Sequence, residues 1–314
     1  MLIFLYSYRI YRIEFKVIRN VLITTNINLF LERILCMNKA KMAFLLILTV
    51  FLAANSINGG VPLNNLEGVG GVAFNPLAYT AGNKDQMSEG QSYEQWEKKF
   101  LARPQIGAWY VNLGDVDIDW TTIGIATSAF KRLEISYGYE TIAISGSKTI
   151  HKNNIGVKFL LVEETDSIPA VSVGTVWKET TFDGDSGIDD SGSDYYLVAT
   201  KMFTTLPKPV LLSGGIISTK GRTLGILGFD KDRDEALFAN IDIVLSEQLA
   251  AGVEYRQGAK FDDFKNADYW NAHLAWFVNK NLTLVTAYVN TGDEDSSSKV
   301  GLGNGIVLSA QYAF

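Results

Sequence analysis

From Gln105 to the terminal Phe314 the sequence divides into about twelve extended segments, and the clearest of them alternate apolar and polar residues one by one. Leu249, Ala251, Val253 and Tyr255 alternate with Ala250, Gly252, Glu254 and Arg256. Leu237, Ala239, Ile241, Ile243 and Leu245 alternate with Phe238, Asn240, Asp242 and Val244, and Leu133, Ile135, Tyr137 and Tyr139 with Glu134, Ser136, Gly138 and Glu140. Successive side chains of a strand point to opposite faces, so each segment carries one greasy face and one small or polar face. A chain of many such strands has two outlets. A soluble sandwich turns the greasy faces inward; a membrane barrel turns them outward into lipid.

The segments are placed at 105–113, 116–127, 132–144, 152–162, 168–178, 193–204, 208–218, 236–246, 248–257, 268–278, 281–290 and 302–314. Each is near the ~9–11 residues that a tilted transmembrane strand needs. Short links (129–131, 164–166, 206–207, 247 and 279–280) alternate with longer polar ones (145–151, 179–192, 219–235, 258–267 and 291–301), the outer-membrane pattern of turns on one side and loops on the other. Aromatics decide between the two outlets. Trp109, Tyr110, Trp120, Trp177, Tyr195, Tyr196, Tyr269 and Trp270 fall at loop-side strand ends, and Phe203, Trp276, Tyr312 and Phe314 at the turn side. Two such groups predict belts at the two headgroup layers, where a sandwich would concentrate its large rings mid-strand. The expected fold is therefore all-β: an antiparallel transmembrane up-and-down barrel of about twelve strands over 104–314. Its last strand alternates Ile306, Leu308, Ala310, Tyr312 and Phe314 with Val307, Ser309, Gln311 and Ala313. That ending resembles the C-terminal assembly signal of bacterial outer-membrane barrels. It implies the assembly machinery as a partner through Tyr312 and Phe314, the surrounding lipid as another, and the bacterial outer membrane as location.

The N-terminal part reads differently. Residues 37–56 form a signal peptide: Lys39 and Lys41 precede an apolar run from Ala43 to Ala54, and small residues set cleavage near Ser56. Residues 1–36 precede that complete signal and read as an upstream extension outside the true start, at Met37 or Met42; a membrane-surface segment is the alternative. Residues 57–103 hold a Gly-rich stretch and a short amphipathic helix over 92–101, with Tyr93, Trp96, Phe100 and Leu101 on one face; this segment is long enough to fill the barrel bore as a plug, with a periplasmic segment as the alternative. Its glycines lack the spacing and following helix of a dinucleotide fold. The only cysteine, Cys36, precedes the cleavage site, which removes disulfides, thiolate metal sites and a cysteine nucleophile from the mature chain.

The run 59–71, with Gln105 to Tyr110, Val116 to Asp119, Leu133 to Ser136 and Asn154 to Lys158, resembles a family of uncharacterised bacterial outer-membrane β-barrel proteins, a domain of unknown function. The resemblance covers most of the mature chain. It implies a secreted barrel and carries over no catalytic or binding residue.

Net charge is −6, against a nucleic-acid partner. Mean hydropathy of +0.08 suits a wall with one polar face. No cofactor is implied and no enzyme is expected. The two histidines, His151 and His273, lack a serine two residues on, the spacing barrel phospholipases use, and each has a bland reading as a solvated or hydrogen-bonded side chain. The acidic runs 183–190 and 230–235 are candidates for calcium, with solvated loop charge as default; an EF-hand fails because Gly is missing from the sixth loop position and Ile241 stands where the bidentate Glu belongs. Strand parity sends Glu134, Glu140, Lys158, Asp242, Glu254, Arg256 and His273 toward the lumen, with Lys178. Mixed signs there have two readings. The leading one is a passive channel whose charged constriction passes a small polar solute. The other is a closed structural or surface-interaction barrel with the lumen filled.

Overall fold

The computed structural model describes residues 63–82 and 101–314, apart from 116, 148, 183–188 and 293–298. The helix expected at 92–101, except Leu101, the signal peptide and the upstream extension lie outside the described residues. Twelve strands follow one another: β1 (Gln105–Leu113), β2 (Ile118–Ala129), β3 (Leu133–Ile144), β4 (Ile150–Val162), β5 (Ala170–Phe182), β6 (Asp189–Phe203), β7 (Val210–Gly221), β8 (Phe229–Ser246), β9 (Leu249–Arg256), β10 (Tyr269–Phe277), β11 (Leu282–Asn290) and β12 (Asn304–Ala313). Each pairs antiparallel with the next, and β12 pairs with β1 from Gln105↔Ala313 to Leu113↔Gly305. The sheet therefore closes with no free edge, which is what a spanning β-structure must do where no water can satisfy backbone groups.

The alternation fixes which way each face looks. Along β12, Ile306, Leu308 and Tyr312 are exposed while Val307, Ser309, Gln311 and Ala313 are buried. Leu237, Ile241, Ile243 and Leu245 on β8 and Ile135 and Tyr137 on β3 are likewise exposed, opposite the buried Phe238, Asn240, Glu134 and Glu140. In water, so many exposed aliphatics around a closed ring would be an aggregation surface. In lipid they are the solvent-facing side. The chain is an outer-membrane β-barrel of a bacterium, and lipid is its surrounding medium.

Two expectations need correction. Of the eight rings placed in a loop-side belt, Trp109, Trp120, Tyr196 and Tyr269 are buried, whereas Trp177, Tyr195 and Trp270 face out. Trp109 and Tyr196 stand midway along β1 and β6, and all four rings have the parity of the inward face. Trp109 turns in because its indole N–H finds the Asn64 carbonyl at 2.9 Å, and Tyr269 because it packs on Phe74 at 6.3 Å. The second correction concerns the long links. Residues 179–182, 189–192, 219–221 and 229–235 belong to strands, so the ladder continues beyond the apolar band. Backbone pairing does not need an apolar face, and polar side chains there simply mark the rise above the membrane.

Within the 230–235 run, Asp234 pairs with Thr219 and Glu235 with Ser218, so these two adjacent carboxylates point to opposite faces. Asp230 is paired with Arg222 at 2.7 Å, and Asp234 accepts the Lys260 N–H at 2.7 Å. Most of the 183–190 run lies outside the described residues; Asp190 accepts the Phe229 N–H at 2.7 Å.

Candidate functional site: the barrel interior

Residues 63–82 lie buried against the inward faces of the strands. The chain is let in by missing side chains. Gly107, Gly124 and Gly138 are cross-strand neighbours on β1, β2 and β3. A Cβ on Gly124 would sit 2.8 Å from the Gly68 Cα, and one on Gly138 would sit 2.6 Å from the Glu67 carbonyl oxygen. Gly68 itself has φ of +84°, a conformation other residues rarely adopt, so the tight reversal at 67–68 lies directly on bare wall backbone.

Polar wall groups then hold the segment. Glu134 accepts the Gly70 N–H at 2.9 Å and the Ala81 N–H at 2.6 Å, and its carboxylate pairs with Lys158 at 2.9 Å. Lys158 donates to the carbonyls of Gly70 at 2.9 Å and Leu77 at 3.1 Å. Glu254 takes three successive backbone N–H groups, from Ala73 at 3.2 Å, Phe74 at 3.3 Å and Asn75 at 2.7 Å, with the Asn271 amide at 2.5 Å. Three amides aimed at one carboxylate are an anion nest, here closed by a wall residue. At the segment's ends, Asn64 is bonded to Trp109 and Gln311, and the Tyr79 hydroxyl to Glu164 in the β4–β5 turn.

Above this layer, toward the loops, lies a charge cluster. Lys152 pairs with Glu140 at 2.9 Å and with Glu67 at 3.4 Å. Lys178 pairs with Asp194 at 2.6 Å and with Glu67, and Arg256 approaches Asp194 at 3.6 Å. Higher still, the interior is apolar. Leu113, Ile118, Trp120, Ile142 and Ile150 form one cluster with Leu224 and Ile226 from the β7–β8 connection. That connection carries a short 3-10 turn (Arg222–Gly225) and folds inward, anchored by Thr180 to the Gly225 carbonyl at 2.8 Å and by the Thr223 N–H to Asn266 at 2.7 Å. Thr223 and Leu224 both have positive φ (51° and 60°), a local strain held by that packing.

Among the candidates read from parity, Glu134, Glu140, Lys158, Glu254, Arg256 and His273 are buried on the inner face. Asp242 lies lower, in a cavity of about 450 Å³ on the turn side of the segment, with His273. His273 is held between Asn271 at 2.8 Å and Asp242 at 2.7 Å. Tyr312 and Phe314 face outward and meet edge to face at 5.2 Å. Glu67, Lys152 and Asp194 were missed. Lys152 shares parity with Lys158, and Asp194 with Tyr196, so the alternation carried a signal for both. Nothing in the sequence singled out Glu67. Among the described residues no group of three or more His, Cys, Asp or Glu could hold a metal ion.

A family model described as "Protein of unknown function (DUF3034)" matches residues 59–311. No curated protein matches the sequence. Solved structures similar to the chain include the KdgM porin, at 13% identity and TM-score 0.45, covering 67% of this chain and 99% of that one. The NanC porin is 9% identical at TM-score 0.47, with 67% and 100% coverage. Omp33 of Acinetobacter baumannii is 10% identical at TM-score 0.41, with 68% and 99% coverage.

Proposed function

The chain belongs to the DUF3034 family of proteins of unknown function, and we propose that it is a gated conduit for a small polar solute across the outer membrane, with residues 63–82 as its plug. The supporting observation is that the inward Glu134, Glu254 and Lys158 spend hydrogen bonds on the backbone of 63–82. An open diffusion pore would leave those groups to water. A permanently filled barrel would not need them, because buried ion pairs are commonly matched or bettered in stability by apolar residues of similar volume. A charged wall satisfied by a separate segment fits a lumen that is closed at rest and wet when the segment moves.

The second reading, a closed structural or surface-interaction barrel, is favoured by Leu224 and Ile226, which seal the loop end with an apolar cluster. We assign no enzymatic role. The Asn271, His273, Asp242 row resembles part of a triad, but both imidazole nitrogens are taken, by Asn271 and Asp242. We assign Tyr312 and Phe314, on the outward face of β12, to recognition by the assembly machinery.

Planar-bilayer recording separates the readings, with insertion verified by heat-dependent gel mobility. The intact chain is expected to give no sustained ohmic steps. A variant lacking 63–82, with 222–228 replaced by Asn-Gly, is expected to conduct. Where that chain does not insert, Glu134→Gln with Glu254→Gln loosens the plug without shortening it. Sustained conductance of the intact chain overturns the gate in favour of a passive channel. Silence of an inserted, opened variant overturns it in favour of the closed barrel.

A further inference from the structure

We propose that Glu67 occupies a carboxylate-binding site built into the wall, and that the solute competing for this site in the opened lumen is a small organic carboxylate. The transport half rests on the gated reading; the site itself rests on its contacts.

Lys152 and Lys178 are fully buried and converge on the same oxygen, Oε1 of Glu67. Each also keeps a wall partner, Glu140 at 2.9 Å and Asp194 at 2.6 Å. With Arg256, 3.6 Å from Asp194, the cluster has three cations, but the wall supplies it with only two anions, Glu140 and Asp194. The third anion is Glu67, the one member that belongs to the inner segment. Take the segment away and three buried positive charges face two negative ones. In the vacated, water-filled position the wall's surplus positive charge draws in an anion. A single carboxylate restores three against three. A phosphate group, at close to two charges, would overshoot to three against four. The site also accepts a group carried on a slender stem, since the Gly124 and Gly138 positions beside it have no side chains and admit the 67–68 backbone. Glu67 is thus an internal stand-in for the ligand, and displacing the plug and binding the solute are one exchange.

Chemical rescue tests the site. Glu67→Ala lowers the unfolding temperature of the detergent-folded barrel. Sodium formate is expected to raise it again by at least about 2 °C, with no effect on the wild type. Acetamide and equal sodium chloride leave it unchanged. Rescue is lost in Glu67→Ala with Lys178→Met. Should the alanine variant not fold, Glu67→Ser, which also vacates the carboxylate position, is read with the same salts. Equal responses to formate, chloride and acetamide, or rescue that survives Lys178→Met, overturn the site. In the opened barrel, butyrate is expected to reduce the current and glucose is not; absence of block with rescue intact overturns the solute assignment alone. Rescue with no conductance in the opened variant leaves the site standing and removes the gate.

Discussion

Gly138 shows how much one missing methyl group decides. Its carbon lies where a Cβ would be 2.6 Å from the Glu67 carbonyl oxygen, and that contact is backbone against backbone with no flexible end to give way. Gly138→Ala is expected to cost roughly 1–3 kcal/mol and to loosen 63–82, read as a lower unfolding temperature together with faster proteolysis inside that segment. Glu164 acts at the other end. Burial pushes its carboxyl up, but the Tyr79 hydroxyl, the Met202 N–H and the Lys201 ammonium outweigh it and hold the carboxyl below the usual glutamate range. A carboxylate lowered on folding adds stability that is fully present above its ordinary pKa of about 4.3 and is lost as pH falls through the folded value. The plug's turn-side latch is therefore expected to weaken from about pH 5 downward. Protease accessibility of 63–82 against pH measures this, and Glu164→Gln should flatten the profile at its weakened, acid-like level.

The β2–β3 hairpin carries an avoidable strain at the scale of a single element. Arg132 donates to the Ala129 carbonyl at 3.0 Å, and both central residues, Phe130 and Lys131, have positive φ (52° and 60°). That is the primed two-residue turn whose twist matches paired strands, and it favours Asn-Gly. Phe130→Asn with Lys131→Gly is expected to stabilise the barrel by about 1 kcal/mol, since L-residues with bulky side chains resist the left-handed region; urea unfolding in lipid vesicles measures it. The β7–β8 connection holds Thr223 and Leu224 in the same region without a hairpin's excuse. There the strain goes with closure, because Leu224 and Ile226 complete the apolar cluster under the loops.

For the whole molecule, the outward face and the inward face obey opposite solvents. Leu274 is 46% exposed midway along β10, yet its medium is hydrocarbon. Leu274→Arg is expected to cost about 2–4 kcal/mol at the membrane midplane, measured by unfolding in vesicles, whereas the same change on a soluble surface would be nearly neutral. Inside, the barrel combines an apolar cap, an ion cluster and a hydrogen-bonded segment. Glu67 joins the segment to the ion cluster, and the tests of conductance and rescue both turn on how those two come apart.

All twelve strands were legible in the sequence, most of them within two residues of their observed ends, because a residue's face in a strand depends only on its parity. Parity also placed Glu134, Glu140, Lys158, Glu254, Arg256 and His273 on one side of the wall, and the terminal Phe314 on the other. Parity does not say what a wall residue touches. That Trp109 donates to Asn64, that Glu254 holds three amides of 73–75, and that Glu67 completes a cluster with Lys152 and Lys178 follow from contacts across 45 to 181 residues of chain. The alternation of a strand is a local property, written in neighbouring letters. The pairing of a buried charge is set by whichever group the closed ring brings within reach, and only the folded chain decides that.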